Sequence, residues 1–414
     1  MYAFNVILSI FLAFTATSWA LPLSIRQSQD ESNTAATPPR LVAYIQTFRD
    51  VNGGPLSLLP LLQENTGVTH VLLSAVHLNE QPGDITLNDH HPSDPMYDTL
   101  WSEVAQLQAG GIKVMMMLGG AAPGTYQRLS GDEASFHAYY DPLLSILQKY
   151  KIQGLDLDIE ERVPLSTPLR LLRQLHADLG SSFLLTMAPV ASALLPNTAS
   201  TGLHGFSALD LDAQATEPSR PNGKLVNWYN AQFYNGWGDA SSSGMYEDIV
   251  SGGQWAADRV VMGVLTNPGD GGSGFVGLDV LKGVLGSLKG KYAAFGCAVG
   301  WEYWAAGTGD GLASPWMWVK AVGEVVLGGA ESAVEQPASN GTVADGSSGT
   351  RKDPPTPWPS QMGRLEEVGA GHWDSVRALN MTNGQLRPAG DMLGVTDLLN
   401  EILGEALNIV GEVV

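Results

Sequence analysis

Eight short apolar runs, spread over residues 41–304 and separated by stretches of helical period, set the tightest limit on how this chain can fold. The runs are LVAYIQTF (41–48), VTHVLLSAV (68–76), KVMMMLGG (113–120), GLDLDIE (154–160), FLLTMAPV (183–190), NWYNAQFY (227–234), RVVMGVLT (259–266) and AFGCAVGWEYW (294–304). Runs of this length read as strands. Between them, MYDTLWSEVAQLQAGG follows Ser93-Asp94-Pro95 and stops on Gly110-Gly111, a capped helix start and a glycine stop. DPLLSILQKY, PLRLLRQLHADLG, LDVLKGVLGSLKG and PWMWVKAVGEVVLGG repeat the theme. Eight strand signals, most of them followed by a helix signal, predict an α/β chain closed into a (β/α)8 TIM barrel. The rival open sheet would carry a glycine-rich phosphate loop after its first strand, and the sequence has none there.

The flanks read differently. Residues 1–20 hold an apolar run, Ala3 to Phe14, and end on Ser18-Trp19-Ala20, the pattern of a signal peptide. Residues 21–40 are rich in Ser, Thr, Gln and Pro, a disordered leader. The barrel is expected over 41–329, a Ser/Gly/Pro-rich linker over 330–361 and a helical C-terminal extension over 362–414. The expectation is a secreted, extracellular monomer. Its single cysteine, Cys297, leaves no internal disulfide framework, so a large core must hold the fold. The net charge of −20 argues against nucleic acid and anionic membrane as partners, which need basic surfaces.

One strand contradicts its surroundings. GLDLDIEE places Asp156, Asp158, Glu160 and Glu161 among Leu155, Leu157 and Ile159. Charged groups are costly to bury unless paired or used. Strand alternation puts Gly154, Asp156, Asp158 and Glu160 on one face and the apolar residues on the other. In a barrel the apolar face meets the helices, the acids line the interior, and Glu160 reaches the C-terminal mouth, where barrel enzymes keep their chemistry. Like charges this close cannot all ionise, so they share protons, and Glu160 is expected to stay protonated near neutrality as a general acid. Metal binding is the alternative use of such acids; no metal and no cofactor are expected. Glu161 reads as a surface charge, and His90 and His91 as an exposed loop pair.

QGLDLDIEE resembles the acid motif of family 18 glycoside hydrolases, the chitinase-like barrels, whose pattern is Asp-x-x-Asp-x-Asp-x-Glu. Gln153 departs from it at the first acid, the position furthest from the chemistry. MLGG (117–120), MAPV (187–190), AQFYN (231–235) and GWEYW (300–304) follow in the family's order. LNDHHPSDPMYDTLW, GGAAPGTY, MAPVASAL and WYNAQFYNGWG look like the secreted fungal endo-β-N-acetylglucosaminidases of the family. The resemblance implies a retaining endoglycosidase acting on a GlcNAc saccharide, either the N-glycan core or chitin. It implies Glu160 as acid, Asp158 as partner of the substrate's acetamido N–H, Tyr234 at the acetamido oxygen, and Asp156 sharing a proton with Asp158. Trp301 would floor the sugar site. Parity along their strands and the likeness together give Tyr44, Met187 and Gln232 as walls, and Asn230 points the same way as Gln232 and Tyr234. The competing class is a non-catalytic GlcNAc-binding lectin barrel, which typically lacks the acid that Glu160 supplies here.

Overall fold

The computed structural model describes residues 39–196, 201–252 and 254–328. The expected signal peptide, the linker, the C-terminal helices and nearly all of the leader lie outside them. Among the described residues nine strands form: β1 Arg40–Ile45, β2 His70–Leu78, β3 Ile85–Leu87, β4 Lys113–Gly120, β5 Gly154–Ile159, β6 Leu184–Met187, β7 Trp228–Gln232, β8 Val260–Leu265 and β9 Cys297–Trp301. Neighbours run β1-β9-β8-β7-β6-β5-β4-β2, all parallel, and β1 pairs with β2 to close the ring. The chain is therefore a closed (β/α)8 barrel. The sequence reading missed β3, three residues paired antiparallel to the upper end of β2, with Val76 opposite Leu87.

Helices formed where period and caps agree. Asp94 accepts from Met96 N at 2.9 Å, and the helix Asp98–Ala109 follows, ending at Gly110. DPLLSILQKY is only the second half of its helix, Glu133–Lys149. The start lies at Asp132, whose carboxylate accepts from Ser135 N, and Pro142 sits inside. Its first turns, EASFHAYY, bury only Phe136 and Tyr140, too few apolar positions to show a period.

Alternation sorts the strands into two apolar layers. Leu155, Leu157 and Ile159 pack outward, in one buried cluster with Leu143 and Leu147 of the neighbouring helix. Burying each such side chain stabilises the fold by about 1.5–3 kcal/mol, and a one-residue slip of β5 would forfeit all three. Val42, Leu72, Met115, Trp228, Val261 and Val299 fill the interior as a separate cluster. Arg40 lies 4.5 Å from the centre of the Trp228 ring, and His70 meets that ring edge-on. Burial, with Arg40 and Lys113 near, holds His70 down at about 3, so it stays neutral. An apolar plug thus lies beneath the acid row.

Candidate active site

Asp156 sits on the plug and is fully buried. Three donors meet it: Tyr44 Oη at 2.6 Å, Asn230 Nδ2 at 3.0 Å and the Thr186 hydroxyl. Thr186 comes from the adjacent strand, directly across from Asp156 in register. Burial pushes the Asp156 carboxyl up and the three donors oppose it. Both its oxygens accept hydrogen bonds from these donors, and it meets Asp158 above it through charge. Asp158 instead hydrogen-bonds Glu160, one residue past the end of β5. Burial, then the charges of Glu160 and Asp156, hold Asp158 well above the usual carboxylate range. Burial also raises Glu160, against hydrogen bonds from Gln232 and Asp158. Burial and their mutual charge thus oppose ionising both acids of the upper pair at once.

Gln232 links the two strands. Its Nε2 donates toward Asp158 Oδ1 (3.2 Å), Glu160 Oε1 (3.4 Å) and Ala188 O (3.0 Å). Tyr44, Asp158, Asn230, Gln232, Tyr234 and Trp301 line one pocket, together with Met117. Burial, followed by the nearby carboxylates Asp158, Glu160 and Asp156, lifts Tyr234 far above the ordinary tyrosine value, so it remains a phenol and can donate. Trp301 stands half-buried at the end of β9, and Tyr44 meets it edge-on with ring centres 5.3 Å apart. Gly119 lets β4 close on this row. Its φ is +97°, and a Cβ there would lie 2.3 Å from Asp158 O.

Several expectations need correction. Met187 does not line the pocket; it is buried in the outer cluster with Leu185. Parity explains this, since Thr186 is the residue of β6 that turns inward. Tyr44 and Asn230 are more than walls, because both anchor Asp156. Glu161 is no surface charge. It is buried, and its carboxylate accepts from Gly124 N (2.9 Å) and Tyr126 N (2.7 Å), fixing the loop after β4. Gln153 accepts from Val114 N at 3.0 Å below the strand, a structural task far from Glu160. His90 and His91 are exposed, as expected. Thr186 and Met117 were missed. Counting alternate positions along FLLTMAPV and KVMMMLGG would have found both.

A parallel barrel with an acid pair at its mouth and a protonated tyrosine and a tryptophan lining the same pocket is a site of the glycosidase type. The family model for glycosyl hydrolases family 18 matches residues 40–259, and the chain belongs to that family. A chitinase of Aspergillus fumigatus is similar in structure, 46% identical with a TM-score of 0.61, over 65% of this chain and 92% of that one. A fungal endo-beta-N-acetylglucosaminidase from family 18 is 38% identical with a TM-score of 0.62, over 69% of this chain and 98% of that one. Endochitinase 4 of Metarhizium robertsii is 28% identical over 166 residues, 36% of this chain and 46% of that protein. The chain spans about half or less of the length of the curated relatives it matches.

Proposed function

We propose that the barrel is an endo-acting, retaining glycosidase that cleaves the β-1,4 bond between GlcNAc units, with the substrate's own acetamido group as nucleophile. The hydrogen-bonded pair Asp158–Glu160, facing a protonated Tyr234 above a buried Asp156, carries this reading. Glu160 delivers its proton to the leaving glycosidic oxygen as that bond to the anomeric carbon breaks. The acetamido oxygen forms the new bond to the anomeric carbon, giving an oxazolinium. Asp158 accepts from the acetamido N–H and balances the positive charge, while Tyr234 donates to the acetamido oxygen. Glu160, now a carboxylate, takes a proton from water as the water opens the ring, and the configuration is retained. Asp156, held by Tyr44, Thr186 and Asn230, fixes the row from below. Trp301 stacks on the sugar's apolar face.

Two substrates contain this linkage. The N-glycan core is supported by the likeness to the fungal endo-beta-N-acetylglucosaminidase over 98% of that chain. Chitin or its oligomers are supported by the higher identity, 46%, to the Aspergillus chitinase, and this shifts weight toward chitin relative to the sequence reading. Incubating the purified protein with a high-mannose glycoprotein and, separately, with chitin oligomers decides between them. A gel shift to the single-GlcNAc form supports the endoglycosidase, and oligomer shortening alone supports the chitinase. Binding without turnover of either would leave a lectin and overturn the proposal.

A further inference from the structure

We propose that Asp270, on the loop after β8, is a positioning residue that holds the Trp301 ring where a sugar stacks on it; this rests on the role given to Trp301 above. Trp301 ends β9, and nothing beyond the strand would fix its backbone unless neighbouring loops did. Thr266 N donates to Trp301 O at 2.8 Å. The next residue, Glu302, is buried and held from two sides. Its carboxylate accepts from Gln46 N (2.7 Å) and Thr47 N (2.9 Å), tying it to the end of β1. Its own N–H donates to Asp270 Oδ2 at 3.2 Å, tying it to the β8 loop. The Thr266 hydroxyl, itself buried, lies 3.0 Å from the same Asp270 oxygen and 2.5 Å from Glu302 O. Asp270, Thr266 and Glu302 thus form one clamp around the peptide that follows Trp301.

Asp270 is an expensive residue to keep in this place. Burial lifts its carboxyl to about 7, and among the described residues no ion pair includes it. The loop's other end rests on the second functional strand. Asn235 Oδ1 accepts from Gly272 N at 2.8 Å, and Asn235 N donates to Ser273 O. Gly274 has φ +88°, and a Cβ there would lie 2.9 Å from Tyr234 Cα. One loop therefore grips the backbone beside both Tyr234 and Trp301, although β8 itself contributes no group to the proposed chemistry. Asp270 shares its attachment on the tryptophan side with Thr266.

Full-length Asp270→Ala, Asp270→Asn and Thr266→Val test this with a fluorogenic β-GlcNAc oligomer. Losing a hydrogen bond to a carboxylate should raise KM about tenfold in Asp270→Ala and leave kcat little changed. Asn keeps an acceptor for Glu302 N–H and should restore KM, while Thr266→Val should raise it. A loop with only a structural role would lower thermal stability without splitting KM from kcat. Unchanged KM in the Ala and Val variants, or no rescue by Asn, overturns the proposal. Should the wild type turn over no GlcNAc substrate, the functional reading fails by itself. The crystal structure of Asp270→Ala then decides, with a displaced Trp301 ring supporting the clamp and an unmoved ring overturning it.

Discussion

Thr186→Val isolates the anchoring of Asp156. Valine keeps the shape of threonine and removes the hydroxyl that meets Asp156 Oδ1. Asp156 is fully buried and keeps two donors, Tyr44 and Asn230. A hydrogen bond to a charged acceptor contributes about 1.5–3 kcal/mol, so the variant should lose about 2 kcal/mol and, for a barrel of this size, melt about 3 °C lower. The pH dependence is the sharper test. Burial outweighs the donors, so the folded Asp156 titrates above an ordinary carboxylate, and removing a donor moves it higher still. The wild type's advantage is therefore full only above the variant's still higher pKa, where Asp156 is ionised in both folded proteins. It shrinks to that of a neutral hydrogen bond as pH falls through that value. Calorimetry of both proteins in alkaline and in acid buffer should show a wide gap that narrows in acid. A gap equal at every pH, or none, would refute an ionised Asp156 held by Thr186.

Asp158→Asn should abolish the oxazolinium step and yet raise the melting temperature in alkaline buffer. The folded pKa of Asp158 is raised, so the wild type loses stability as pH rises through it and the neutral amide does not. An unchanged melting temperature across that range would contradict the burial argument. Glu161→Ala leaves the Gly124 and Tyr126 N–H groups without their acceptor and should cost about 2–4 kcal/mol by denaturant unfolding. A neutral effect would mean that water replaces the carboxylate.

The acid row was legible because GLDLDIE alternates strictly, and only a strand with two different faces explains that. The same parity rule gave Tyr44, Asn230 and Gln232, whose strands are equally regular. It failed at Met187 because the alternation was counted one residue out on that short strand, where Thr186 is the residue that turns inward. Glu161 was invisible for another reason. Its partners are backbone N–H groups more than thirty residues earlier, and no side-chain pattern records where a loop's backbone returns. The same holds for Asp270, whose partner is the backbone of Glu302. β3 escaped because three residues are too few to show a period. Periodicity reports faces of long elements; it is silent on backbone acceptors and short pairings.

The central claim is that Glu160 hands over the proton. Glu160→Gln keeps the side chain's size and its contact with Gln232 while removing the acid. Turnover of a GlcNAc oligomer should fall by about 10²–10⁴, with oligomer binding measured by calorimetry retained. Wild-type turnover in Glu160→Gln would contradict the account.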